Sequence, residues 1–247
     1  MTPLLRVDGL TKRFGGLTAV KNVAFTLEPG EIAGILGPNG AGKTTLFNLL
    51  TGFIATDVGT VEFEGRSLIG LAPHRIVNLG LARTFQLCRP FRGMTVIENV
   101  SVGCLAPRVR DGGGTAARAR HILGQVGLSA KAGIAVDVLP YGDLRRLEIA
   151  RALATRPKLL LLDEPFAGLG SNEIEPLARL IRKLHAEEGL TILIIEHKLR
   201  EFMQLVRHVI AMDFGEIIAT GPPQEIVRHP RVVEAYIGRT EAPLGVA

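Results

Sequence analysis

Apolar residues fall in short blocks divided by tight turns, and the blocks change character along the chain. Val23-Ala24-Phe25-Thr26-Leu27 is rich in strand formers, and Pro29-Gly30 turns it into Ile32-Ala33-Gly34-Ile35-Leu36. That second run enters a glycine-rich loop followed by a helix-forming segment, Thr44 to Leu50. Val61-Glu62-Phe63, set between Gly59 and Gly65, predicts another short strand. In the middle, Ala116 to Val126 carries apolar residues at helical spacing, and Leu144 to Thr155 predicts a long helix stopped by Pro157. Leu159-Leu160-Leu161-Leu162 suits a central parallel strand buried on both faces. Glu173 to Glu187 reads as helix and Thr191 to Ile195 as a further buried strand. Val209–Met212 and Glu216–Thr220 flank Asp213-Phe214-Gly215, a hairpin signal. Strands alternating with helices predict an open α/β sheet with the helical middle inserted into it. Arg108 to Gly114, basic and then glycine-rich, is the best linker candidate.

Composition narrows the class. The 247 residues allow one large domain or two small ones. With 47% hydrophobic and 21% charged residues the chain is globular, and a collagen-like repeat, a coiled coil and a disulfide scaffold are excluded. The net charge of +5 permits a polyanionic partner without requiring one. No apolar run approaches the roughly 18 residues that cross a bilayer. The opening Met1-Thr2-Pro3-Leu4-Leu5-Arg6-Val7-Asp8 reaches an acid too early for a signal peptide. Cys88 and Cys104 fit neither a disulfide framework nor a zinc pattern, and reduced thiols in cytoplasm are expected. Any membrane role is therefore expected to come through a partner.

Gly37-Pro38-Asn39-Gly40-Ala41-Gly42-Lys43-Thr44 fits G-x-x-x-x-G-K-[ST]. Glycines let the backbone curl so that its N–H groups point at phosphate oxygens, and the following helix adds its positive dipole end. Lys43 supplies a cation for the β- and γ-phosphates, and the Thr44 hydroxyl is a Mg²⁺ ligand candidate. The loop signals a nucleoside triphosphate but does not choose between ATP and GTP. Asp163 and Glu164 end the apolar strand, at the carboxyl edge where α/β sheets bind ligands. Asp163 suits Mg²⁺, directly or through water, and Glu164 suits a general base for an attacking water. Gln86 and His197 also follow apolar strands, from where either could reach a γ-phosphate or its water. Taken alone, such residues are more often surface or satisfied core positions.

Leu139-Pro140-Tyr141-Gly142-Asp143-Leu144-Arg145-Arg146-Leu147-Glu148-Ile149-Ala150-Arg151-Ala152-Leu153, just upstream of the acidic strand, resembles the signature helix of ABC-type ATPases. The phosphate loop, Gln86 (the Q-loop), this signature, Asp163-Glu164 and His197 (the switch histidine) stand in that family's order. Within it the chain is most similar to an ATPase subunit of branched-chain amino-acid importers, through Arg13-Phe14-Gly15-Gly16-Leu17, Ala82-Arg83-Thr84-Phe85-Gln86, the Arg-Arg-Leu-Glu-Ile-Ala-Arg run and Glu234-Ala235-Tyr236-Ile237-Gly238.

The resemblance implies a P-loop NTPase of ABC type: a RecA-like α/β core, an antiparallel β subdomain and an inserted helical subdomain. One ABC ATP-binding domain would fill 1–247, with a core lobe about 1–90 and 157–222, a helical subdomain about 91–156 and a helical tail about 223–247. It implies ATP and Mg²⁺ as cofactors. Phe14 would stack on adenine; Gly37, Pro38, Asn39, Gly40, Ala41, Gly42, Lys43, Thr44 and Thr45 would bind phosphate; Tyr141 and Gly142 would face a partner's nucleotide. Thr44, Gln86 and Asp163 would surround the metal, and Glu164, His197 and Gln86 would serve hydrolysis. The implied partners are two transmembrane permease subunits, a second ATPase subunit in a heterodimer and, indirectly, a secreted solute-binding protein, with no nucleic acid. The implied location is peripheral, on the cytoplasmic face of the inner membrane. Competing tasks are uptake of urea, amides or aromatic acids, export of lipid or lipopolysaccharide, and a soluble role on DNA or ribosomes. No long heptad arms and no second phosphate loop support the last.

Two departures stand out. The family's usual Leu-Ser-Gly-Gly-Gln has Pro140 for the serine, Tyr141 for the first glycine and Asp143 for the glutamine. The segment after Glu164 usually ends in Asp or Asn, whereas Ala167-Gly168-Leu169-Gly170 ends in glycine. Proline brings neither a hydroxyl nor an N–H, so weaker help for a partner's ATP is expected.

Overall fold

The computed structural model of the protein describes residues 2–109 and 114–237. In chain order the strands are β1 (Leu5–Phe14), β2 (Leu17–Leu27), β3 (Ile32–Leu36), β4 (Val58–Phe63), β5 (Arg66–Ser67), β6 (Leu81–Arg83), β7 (Leu159–Asp163), β8 (Thr191–Ile195), β9 (His208–Asp213) and β10 (Glu216–Gly221). The helices are α1 (Lys43–Leu50), α2 (Pro73–Leu79), α3 (Val96–Gly103), α4 (Thr115–Gln125), α5 (Tyr141–Leu153), α6 (Ser171–Glu188), α7 (Leu199–Leu205), α8 (Pro223–Ile226) and α9 (Pro230–Ile237). Most of the linker candidate, 110–113, and the end of the tail, 238–247, lie outside the described residues.

The chain divides into two compact bodies. The first comprises Met1–Glu28, Ile32–Ile69 and Ile195–Ala247; the second comprises Pro29–Glu31 and Gly70–Ile194. In the first body, β2-β1-β4-β5 form an antiparallel sheet, and β10-β9-β3 stand side by side with β3 parallel to β9. The antiparallel sheet alternates buried and exposed positions: Leu5, Val7 and Leu10 point inward, Arg6 and Asp8 outward. β3 is buried at every position because both of its faces are covered. Gly34 leaves the space that the Phe202 ring of α7 fills, so α7 lies close against β3. The β9–β10 hairpin turns through Phe214 (φ 44°) and Gly215 (φ 82°), the twin left-handed residues of a tight turn, as its sequence predicts.

In the second body β8, β7 and β6 are neighbours, with β6 parallel to β7. β7 and β8 are buried throughout, as their aliphatic runs Leu159–Leu162 and Ile192–Ile195 predict. The inserted region packs α3, α4 and α5 on one another. Thr95 starts α3 with a reciprocal cap: its hydroxyl accepts from the Glu98 N–H, and the Glu98 carboxylate accepts from the Thr95 N–H.

Among the boundaries that differ from the sequence reading are both ends of α5. Helix α5 begins at Tyr141, three residues before Leu144, because Pro140 is an N-cap with φ −57° and ψ 153° and its carbonyl accepts from Asp143 and Leu144. It ends at Leu153, two residues early, where Ala154 and Arg156 (φ 49°) turn the chain before Pro157.

Candidate functional site

The sequence-predicted residues fall on both bodies, and each group has its own geometry. In the first body, residues 37–42 join the end of β3 to α1. Gly42, the residue before α1, has φ 98°, and a Cβ there would run into the Ala19 carbonyl of β2. A Cβ on Gly37 would strike the Met212 carbonyl of β9 and stand 3.0 Å from Ala41 Cβ. The loop is seated on the backbone of two strands, and only glycine fits at those two places. Lys43 is 5% exposed, and its Nζ donates to the carbonyls of Gly37 at 2.6 Å and Pro38 at 3.0 Å. With those carbonyls engaged by the lysine, amides and the start of α1 set the loop's potential, which is positive. Thr44 is exposed on the first turn, and Thr45 half-buried beside it. A residue the sequence reading quoted without a role, Tyr236 of α9, hydrogen-bonds to the Gly37 backbone; burial pushes its phenol up to about 12.

Phe14 closes β1, 46% exposed, with Lys12 Nζ 5.5 Å from its ring centroid. His197 is exposed just beyond β8, in a turn where the Glu196 carboxylate accepts from the N–H groups of His197 and Lys198.

In the second body Asp163 ends β7, 2% exposed, its Oδ2 paired with Arg83 at 2.6 Å. Glu164, 7% exposed, follows with φ 49°, a left-handed backbone that is strained for a residue with a Cβ. Gln86 Nε2 donates to Glu164 Oε2 at 2.7 Å, so the structure brings the predicted Q-loop residue and general base into direct contact. Sequence reasoning did not foresee Arg83, which stacks 5.0 Å from the Phe85 ring while pairing with Asp163.

The signature helix contributes more than its first turn. Arg145 is 2% exposed and donates to the carbonyls of Phe85 (3.0 Å), Gln86 (2.6 Å) and Ala167 (3.0 Å). Glu148, paired with Arg145 at 3.5 Å, accepts from the Phe85 N–H at 3.1 Å and lies 3.5 Å from Cys88 Sγ. Arg151 donates to the Arg89 carbonyl at 2.7 Å and covers the Phe91 ring. Burial raises the Glu148 carboxyl pKa, opposed by the Phe85 N–H and Arg145, and pushes the Cys88 thiol up to about 12. The i, i+3, i+6 spacing of Arg145, Glu148 and Arg151 was the available signal, since it puts three charges on one helix face. Tyr141 lies over Gly168, and the Glu173 carboxylate lies over Gly142.

A buried strand entering a glycine loop that ends in a buried lysine, and a second buried strand ending in two carboxylates, define a P-loop NTPase of the α/β class. The comparisons make the class narrower. Residues 20–167 match the family described as "ABC transporter", and 216–242 match "Branched-chain amino acid ATP-binding cassette transporter". The high-affinity branched-chain amino acid transport ATP-binding protein BraF of Pseudomonas aeruginosa is 41% identical over 250 residues, covering 96% of this chain and 98% of that protein. The high-affinity branched-chain amino acid transport ATP-binding protein LivG of Escherichia coli K12 is 44% identical over the same coverage. Among solved structures, the ADP conformation of MJ1267, an ATP-binding cassette of an ABC transporter, aligns with a TM-score of 0.88 at 33% identity, over 96% of this chain and all of that one. This chain belongs to the ABC transporter family and is an ABC-type ATPase.

Proposed function

We propose that the chain is the ATP-hydrolysing subunit of an importer for branched-chain or related amino acids, working as a single ABC ATP-binding domain. The observation that carries this reading is the Gln86–Glu164 contact, which presents a buried, strained carboxylate held by the Q-loop amide, in a chain 44% identical to an amino-acid transport ATP-binding protein. Lys43 leaves its loop carbonyls to neutralise the β- and γ-phosphates, and the amides of residues 37–42 wrap them. Phe14 offers an exposed ring for adenine, and Thr45 lies beside the loop. Thr44, Gln86 and Asp163 are oxygen donors of the kind Mg²⁺ takes, and the ion pair of Asp163 engages only Oδ2 with Arg83. When bound, Mg²⁺ supplies charge neutralisation on the phosphates. Glu164 takes the proton of the attacking water, and His197 orients the reacting phosphate.

The partners in this reading are two permease subunits, a second ATPase subunit and a secreted solute-binding protein. No described helix is long and apolar enough to cross a membrane, so attachment is peripheral, through the permeases on the cytoplasmic face. Pro140 supplies no hydroxyl to a partner's γ-phosphate, which favours a heterodimer with unequal sites. The test is uptake of labelled leucine, isoleucine and valine by vesicles holding the assembled complex. Uptake driven by ATP and stopped by Glu164→Gln, with urea, amides and aromatic acids untransported, is expected. Normal leucine uptake with Glu164→Gln would refute the role of Glu164. Uptake of another solute class only would refute the substrate.

A further inference from the structure

The buried side chains of α5 do something that neither the phosphate loop nor the carboxylates explain. Arg145 is sealed from solvent, and every carbonyl it binds lies on a segment adjoining the general base. Phe85 and Gln86 form the Q-loop, whose side-chain amide holds Glu164. Ala167 lies three residues beyond Glu164, and its N–H donates back to the Glu164 carbonyl at 3.0 Å. One guanidinium thus ties together both sides of the Glu164 carboxylate. Only a planar fork with several fixed donors reaches three carbonyls at once; a lysine ammonium has neither that spread nor that rigidity. Glu148 completes the grip from the same helix face. It neutralises Arg145 and accepts the Phe85 N–H, so the donor and the acceptor of Phe85 are both held by α5.

We propose that Arg145, supported by Glu148, is a positioning residue for hydrolysis. It fixes the Gln86 backbone against the segment after Glu164, so that the Gln86 amide stays on the Glu164 carboxylate and that carboxylate stays aimed. The same contact makes α5 a rigid link: a push on the signature end of the helix reaches the Q-loop through Arg145 and Glu148, and the Phe91 end through Arg151. This inference rests on Glu164 being the general base.

The test uses the full-length chain in its assembled transporter and reads nucleotide affinity and turnover separately. Arg145→Gln should leave the Kd for a fluorescent ATP analogue within about twofold and lower kcat about 10- to 100-fold, the scale of a small misplacement of a reacting group. Arg145→Lys should recover only part of that loss. Because Arg145→Gln leaves Glu148 buried without its cation, Arg145→Gln/Glu148→Gln is the companion variant: neutral at both places, folded, and equally slow. In the background of Glu164→Gln, Arg145→Gln should add no further loss, because the residue acts through Glu164. Wild-type kcat in the Arg145 variants beside a dead Glu164→Gln would overturn the positioning role alone. Equal falls in affinity and kcat, or losses that multiply in the double variant, would do the same by showing a general structural defect. Full turnover in Glu164→Gln would overturn both this inference and the function it rests on.

Discussion

Gly168 and Tyr141 are expected to be a matched pair, and the structure sets the size of the match. Gly168 has φ 78°, and a Cβ there would stand 2.8 Å from Tyr141 Cε1 and 3.2 Å from Cζ. Gly168→Ala therefore meets two separate costs. The left-handed backbone costs an alanine about 1–2 kcal/mol whatever surrounds it. Forcing a methyl against the ring costs about 1–3 kcal/mol more, because the ring or the loop must shift. The single variant should lose about 2–5 kcal/mol. In a Tyr141→Ala background the methyl has room, and the same change should cost only about 1–2 kcal/mol, the backbone part. Urea unfolding of the four proteins, wild type, both singles and the double, isolates the coupling, expected at about 1–3 kcal/mol, well above the few tenths that independent sites show. Identical costs for Gly168→Ala in both backgrounds would show that the ring and the loop do not compete for this space. A neutral Gly168→Ala would refute the backbone argument as well.

Lys43→Ala should lower ATP hydrolysis about 10²- to 10³-fold, measured by phosphate release, because it removes a preorganised cation from the phosphates; hydrolysis at the wild-type rate would remove the loop from the mechanism. The Tyr236 phenol has a folded pKa raised by burial from 10.0 to about 12, so its stabilising contribution is complete below pH 10 and lost as pH rises through 12. Tyr236→Phe should remove that alkaline step from the pH dependence of the melting temperature, and an unchanged alkaline limb would show that the buried phenol does not titrate there.

Much of the fold could be read because its strands are buried on both faces. Ile32–Leu36 is apolar throughout and Thr191 leads into the apolar run Ile192–Ile195, and the structure has strands Ile32–Leu36 and Thr191–Ile195. The phosphate loop was legible for a related reason: Gly37 and Gly42 answer to backbone collisions with Met212 and Ala19, so those two positions are dictated by geometry. The long hairpin strand β1 was not read, because half of it faces solvent and Asp8-Gly9 interrupts its apolar alternation. Helix α5 starts three residues before Leu144 because Pro140 caps its first turn, so that Tyr141, Gly142 and Asp143 are already helical. The Arg83–Asp163 pair joins residues 80 positions apart, and the grip of α5 on Phe85 and Gln86 spans about 60. No local pattern carries the distance between such residues, although the helical spacing of Arg145, Glu148 and Arg151 carries their shared face.

The departures in the signature are better understood as one packing unit than letter by letter. Tyr141 takes the place of a glycine, and its ring is accommodated by Gly168 on the segment after Glu164. The Arg145 guanidinium stacks 5.1 Å from the centroid of that ring. Asp143 takes the place of a glutamine and pairs with Lys131 while lying in the acid-favouring first turn of α5. The substitute carboxylate is thus held by its own chain. Pro140 supplies no hydroxyl, and the Asp143 carboxylate of the same turn is engaged by Lys131. What remains at the helix start is backbone: the first-turn amides and the dipole behind them, which attract phosphate more weakly than they would with a hydroxyl beside them. That difference supports unequal nucleotide sites in the proposed heterodimer.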